Sequence, residues 1–253
     1  MPKLDTINLR VKDPAAQRAF YCDALGMTDQ GDGCVGYGGA QASLRFLPVK
    51  GAYAPTPEDL YWKIALSVPD LDLAYTQLTA QGIAMSEPRQ FRDVGYLAHI
   101  TDPEGFAIEL LDHHFKGEGP KGTADPSQLG GGAHLSLLTL RAAEIETLDQ
   151  EILAIGMQPL SVQDVSPYGF TLYFYAFTDE APPDADLTAV ENRTWVYQRP
   201  FTVLEIQHAA ALQTARITTD DEAGYAGAVV TGSEVSVAIP SLQITGTSDD
   251  LAR

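Results

Sequence analysis

Apolar and polar residues alternate with a period of two over LDTINLRV, where Leu9 and Val11 are interleaved with Thr6, Asn8 and Arg10. That period predicts a half-buried strand. Asp13 follows as a helix cap with Pro14 at the first helical position, and Gly26 stops the helix before Met27. The same grammar returns at Lys63: KIALSV, then Asp70 as cap, a helix through Tyr75 and Leu78, and Gly82 as stop. It returns again at His134, where HLSLLTL precedes a helix carrying Ile145, Leu148 and Ile152 that ends at Gly156. A fainter copy of the strand, EVSVAIPSL, begins at Glu234. Between these lie ASLRFLPV, YLAHITD, FAIELLD, FTLYFYAF and FTVLEIQ, so each unit reads as one strand, one helix and about three strands.

Such a unit cannot bury its own apolar face and must pair with a neighbour. The run from Phe115 to Gly132 (FKGEGPKGTADPSQLGGG) is rich in glycine, proline and polar residues and reads as a linker. The expected organisation is a first domain of two units over 1–118, a linker over 119–132, and a second domain over 133–253. The second domain holds the third unit and a partial fourth, because too little chain follows Glu234 for another helix and three strands. Open sheet edges on that short unit favour a homodimer.

Composition narrows the function classes. The chain has 253 residues and a formal net charge of −18, with a pI near 4.4. A polyanion partner needs a basic footprint, so nucleic acid is disfavoured, as is an anionic membrane surface. No apolar run approaches the length of a membrane span, and MPKLDTINLRVKDP lacks the apolar core of a signal peptide. Cys22 and Cys34 are too few for a disulfide framework and read as reduced thiols in a cytoplasmic protein.

The repeated units carry words that resemble the vicinal oxygen chelate superfamily of glyoxalase I, bleomycin resistance proteins and extradiol dioxygenases. LRVKDPAAQRAFYCDALGM and DPEGFAIELLD are similar to its modules, and FTLYFYAFTDEAPP with WVYQRPFTVLEIQH is similar to the long module of eukaryotic-type glyoxalase I. The resemblance implies an α+β fold of tandem βαβββ modules in U-shaped sheets around a metal. In that family each first strand and each last strand supplies one ligand.

Carried onto this chain, the ligand positions of the first domain fall on Thr6, Arg45, Lys63 and Glu109. Strand parity puts Lys63 opposite Ile64 and Leu66, Glu109 opposite Ile108 and Leu110, and Arg45 opposite Leu44 and Phe46. Two cations there would repel a divalent ion, so no metal is expected in this domain. Arg45, Lys63 and Glu109 read either as mutually neutralising charges or as an anion-binding cup. His99, just before DPEG, is a candidate catalytic group.

In the second domain the resemblance points to a metal on His134, Glu205 and Glu234. One imidazole and two carboxylates suit Fe, Mn, Ni or Zn. Tyr173 and Tyr175 are candidate substrate contacts, since FTLYFYAF is apolar on both faces. His208 falls on the opposite face from Glu205, and His113 and His114 read as linker residues. The reading these residues give is a metal-dependent lyase or isomerase for a small oxygenated molecule, with Glu205 shuttling a proton beside a metal-stabilised enolate. The alternatives are a metal-free small-molecule binding or sequestering protein and an extradiol ring-cleavage dioxygenase.

Overall fold

A computed structural model describes residues 1–120, 122–233 and 236–247. Module one comprises β1 (Lys3–Val11), α1 (Pro14–Ala19), β2 (Thr28–Gly31), β3 (Cys34–Gly36) and β4 (Ser43–Pro48). Module two follows as β5 (Tyr61–Val68), α2 (Leu71–Ala80), β6 (Arg89–Phe91), β7 (Gly95–Thr101) and β8 (Ala107–Asp112). Module three is β9 (His134–Ala142), α3 (Glu146–Ala154), β10 (Gln158–Val165), β11 (Phe170–Ala176), an inserted α4 (Glu191–Tyr197) and β12 (Val203–Ala209). The described residues of module four form β13 (Gly224–Thr231), β14 (Ala238–Ile239) and β15 (Ile244–Gly246).

Local chemistry starts α1 and α2 where the sequence places them. Asp13 Oδ1 accepts from the amides of Ala15 and Ala16, and Asp70 Oδ1 from that of Leu73. The N-cap residue of α3, Ile145, offers no side-chain acceptor, although Glu144, just ahead of the helix, accepts from the Thr147 amide in its first turn. Gly82 ends α2 with φ +80°, a conformation that a side chain would strain.

The modules pair in an order that the sequence reading does not anticipate. β1 pairs antiparallel with β13, and β5 with β9. Modules one and four therefore build a seven-stranded sheet, β14-β15-β13-β1-β4-β3-β2, and modules two and three an eight-stranded sheet, β10-β11-β12-β9-β5-β8-β7-β6. The units of the expected domain 1–118 lie in different sheets, as do those of 133–253. Nor is 119–132 a free tether: Gln77 accepts from the Gly130 amide and donates to the carbonyls of Pro126 and Gln128.

One apolar core joins the helices to the helix-facing sides of both sheets, through Ile7, Leu9 and Leu44 in one and Ile64, Leu66, Leu138 and Leu140 in the other. A separate cluster fills the concave side of the eight-stranded sheet, with Ala65, Leu97, Leu111, Leu137, Leu172 and Phe174 packed around Val196 and Tyr197 of α4. No helix among the described residues is long and apolar enough to cross a membrane.

Candidate functional site

The concave side of the eight-stranded sheet carries a buried polar group at its centre. A register shift between Tyr61 and Lys63 puts a bulge at Trp62, so Tyr61 joins the helix-side core while Trp62 and Lys63 both face the concavity. Lys63 Nζ donates to Glu109 Oε2 at 2.7 Å and to Glu205 Oε2 at 3.1 Å. It also sits 4.8 Å from the centroid of the Trp62 ring. Thr139, the β9 partner of Lys63, donates a short hydrogen bond to the same Glu205 oxygen. Lys63, Glu109, Thr139 and Glu205 are all buried.

These four residues come from two first strands, β5 and β9, and two last strands, β8 and β12. Sequence reasoning found Lys63 and Glu109 but assigned Glu205 to another site and missed Thr139. The cause is the swapped pairing, which makes Glu205 the partner of Lys63 rather than of His134.

Electrostatics hold the group close to neutral. Burial works against a charged Lys63, but Glu109 and Glu205 outweigh it and keep the ammonium firmly protonated. Burial also opposes ionisation of Glu109, yet Lys63 and His99 prevail and hold its carboxyl below the usual range. For Glu205 burial wins over Lys63, helped by the charge on Glu109, and its pKa is raised. His99 Nε2 lies 3.2 Å from Glu109 Oε1, and its side chain is about 42% exposed. Glu109 is thus held between an inner ammonium and an outer imidazole.

Above this floor the walls are apolar: Trp62, Phe91, Phe170, Leu172, Leu137 and Tyr197 line a residual cavity of about 40 Å³. That is room for about three water molecules. The opening between sheet edges β6 and β10 is bridged. Tyr197 donates to the Val94 carbonyl at 2.9 Å and accepts from Gln163 Nε2 at 2.9 Å. Arg193 grips Asp93 at 2.8 Å, and Phe91 meets Tyr168 with centroids 5.0 Å apart.

The other expected site residues lie elsewhere. His134 pairs with Ser67 at the start of β9, and Thr139, the partner of Glu205, is five positions further on. At about 3.3 Å per residue, that separates His134 from Glu205 by roughly 15 Å, too far to share an ion. Parity sets His134 opposite Leu135 but not opposite Leu137, because a second register shift lies at Ser136: Leu135 faces the helices and Leu137 the concavity. Glu234 lies outside the described residues. Tyr175 turns to the helix side and donates to Asp149, while Tyr173 packs against the same core beside His208, so neither enters the cup. His113 and His134 instead face each other, ring centroids 5.3 Å apart, each with a buried Nε2 lacking a partner. Arg45 is in the seven-stranded sheet, paired with Asn8 and Cys34.

A divalent metal does not fit the donor set. An ammonium fills the space between the two carboxylates that would have to ligate it, and among the described residues no three His, Cys, Asp or Glu side chains are grouped to hold an ion. In the seven-stranded sheet the corresponding register positions are Thr6, Arg45, Val229 and Thr245, which offer no ligand set either.

The sequence model of the Glyoxalase/Bleomycin resistance protein/Dioxygenase superfamily matches residues 3–110. No curated protein matches the chain in sequence. Among solved structures, glyoxalase I from Zea mays is similar with a TM-score of 0.61 at 18% identity, over 91% of this chain and 74% of the other. A putative dioxygenase from Bacillus subtilis is similar with a TM-score of 0.54 at 13% identity, over 91% of this chain and 70% of that one. Residues 3–110 are thus similar to the Glyoxalase/Bleomycin resistance protein/Dioxygenase superfamily, and over most of its length the chain has the fold of glyoxalase I.

Proposed function

We propose that this is a metal-free, small-molecule-binding member of that superfamily, in which the Lys63 ammonium takes the place of a metal ion. The observation that carries this reading is the wedge of Lys63 Nζ between Glu109 and Glu205. A bound divalent ion would have to displace an ammonium already neutralised at both contacts. The ligand class follows from the walls. Trp62, Phe91, Phe170 and Tyr197 suit a flat apolar molecule, and Lys63 offers one fixed donor for its oxygen. Admission requires α4 and the β10–β11 turn to draw back, because the residual cavity is too small.

Two measurements test this. Metal analysis of protein purified without chelators is expected to give far less than one equivalent. The neutral fluorophore N-phenyl-1-naphthylamine is expected to bind saturably with energy transfer from Trp62, and Leu137→Phe, which fills the cavity, should abolish that binding. A stoichiometric metal, or no saturable binding, would sink the proposal.

One observation favours a second reading, proton-transfer catalysis. Glu109 orients the partly exposed His99 imidazole in the manner of a general base and its positioning carboxylate. Under that reading His99→Gln removes turnover of an enolisable substrate while leaving fluorophore binding intact. If turnover persists, His99 has no catalytic role.

A further inference from the structure

The concave face of the seven-stranded sheet is built differently, and one residue on it is unexplained by packing. Arg45 occupies the last strand of module one, at the position where modules two and three carry Glu109 and Glu205. Its guanidinium makes no ion pair or hydrogen bond among the described residues, and its Nε is buried without a partner. The other half-buried or buried arginines are all engaged. Arg10, Arg18, Arg193, Arg199 and Arg216 meet carboxylates, and Arg141 donates to the Asp59 and Tyr61 carbonyls.

In a chain with 34 acidic and 16 basic residues, a spare carboxylate could readily have been placed beside this arginine. Two acids on strands of the same sheet are committed elsewhere: Asp5 of β1 pairs with Lys3 at 3.1 Å and Asp29 of β2 with Arg18 at 2.6 Å. Leaving a buried donor unpaired costs free energy that a bound acceptor would return.

The surroundings are small. Strand register sets Thr6, Ser43, Asn8, Cys34, Val229 and Thr245 around Arg45 on that face. Thr6 donates to Asp5 Oδ2 at 3.0 Å and Asn8 Nδ2 to the Gly227 carbonyl at 3.4 Å, while Thr245 is exposed. Where module three inserts α4, the described residues of module four have only a three-residue 3-10 turn, Pro240–Leu242, whose Leu242 packs into the main core.

We propose that the concave face of the seven-stranded sheet is a second site, binding the carboxylate of a small organic acid at Arg45. A planar guanidinium pairs a carboxylate through two parallel hydrogen bonds. Its single positive charge balances a monoanion, whereas a phosphate dianion would leave a surplus negative charge in a protein already at −18. This site is independent of the reading given for Lys63.

Isothermal titration at constant ionic strength tests the assignment, with sodium benzoate as the carboxylate, inorganic phosphate as the competing oxyanion and chloride as the control. The expected result is saturable benzoate binding that falls at least tenfold in Arg45→Gln and less in Arg45→Lys, with Lys12→Gln, at an exposed lysine, unchanged. Thermal unfolding verifies that each variant is folded. Benzoate affinity that is equal in wild type and Arg45→Gln overturns the proposal, as does phosphate binding without benzoate binding or heat no greater than that of chloride.

Discussion

The two concave faces of this molecule answer the same geometric problem in opposite ways. In the eight-stranded sheet the central positions hold Lys63, Glu109, Thr139 and Glu205, which satisfy one another under a roof formed by α4. In the seven-stranded sheet the matching positions hold Thr6, Arg45, Val229 and Thr245, with one cation unpaired and no α-helical insertion among the described residues. A shared module architecture therefore leaves the chemistry of each cup to a few inward-facing residues and one insertion. The closed cup is internally neutralised, and the other keeps a charge available.

The sharpest way to break this comparison is Lys63→Met. Glu109 and Glu205 would then face each other without a counter-charge, at an expected cost on the order of 3–5 kcal/mol in urea unfolding at neutral pH. Adding Glu205→Gln should restore much of the loss, because one carboxylate can still be held by His99. If Lys63→Met unfolds at the wild-type denaturant concentration, the cluster is hydrated and the contrast between the cups collapses.

Acid gives the next effect, through His113 and His134 beside the closed cup. Burial lowers the pKa of each to about 4, and in His113 the neighbouring imidazoles contribute further. Unfolded, each titrates near 6.5. The unfolded state therefore takes up protons first as the pH falls. Stability from these residues is complete above pH 6.5 and drains away between 6.5 and 4, on the order of 3 kcal/mol for each group at most. Unfolding free energies measured at pH 7.0, 5.5 and 4.5 should decline, and the decline should flatten in a His113→Phe, His134→Leu variant. An unaltered slope in that variant would assign the acid sensitivity to carboxylates instead.

Tyr197→Phe tests the roof. Loss of the hydroxyl strands the Val94 carbonyl and the Gln163 amide, at an expected cost of about 1–2 kcal/mol, with faster entry of the naphthylamine probe in stopped flow. Unchanged stability and entry rate would show that the edges of the sheet are not tied through this residue. The smallest effect is reserved for the other cup. Arg45→Gln should shift unfolding by no more than about 0.5 kcal/mol, because no partner is lost. A large destabilisation would mean that Arg45 is structural, removing the contrast with Lys63.

Much of the fold is legible in the residues. Asp13 and Asp70 announce their helices, and the alternation in KIALSV and FAIELLD correctly turns Lys63 and Glu109 to the side away from the helix layer. Two kinds of information are missing from the chain pattern. Pairing of module two with module three, rather than with module one, is a long-range choice between similar strands, and periodicity is silent on it. Bulges are the other. The extra residue at Ser136 sets Leu135 and Leu137 on opposite faces, and the bulge at Trp62 lets two successive side chains enter the cup. Thr139 looks like an ordinary strand polar residue, and α4, at seven residues, is too short to show a helical period.

The pairing of β1 with β13 also bears on how the chain is made. Contacts such as Asn8 to Gly227 join residues 219 positions apart. A ribosome adding roughly 5–20 residues per second needs at least about ten seconds to deliver that partner. Modules two and three are neighbours in sequence, and the eight-stranded sheet can assemble while β1 still waits with an unpaired edge. During that interval the edge of β1 that β13 later covers presents unpaired backbone groups to any other strand.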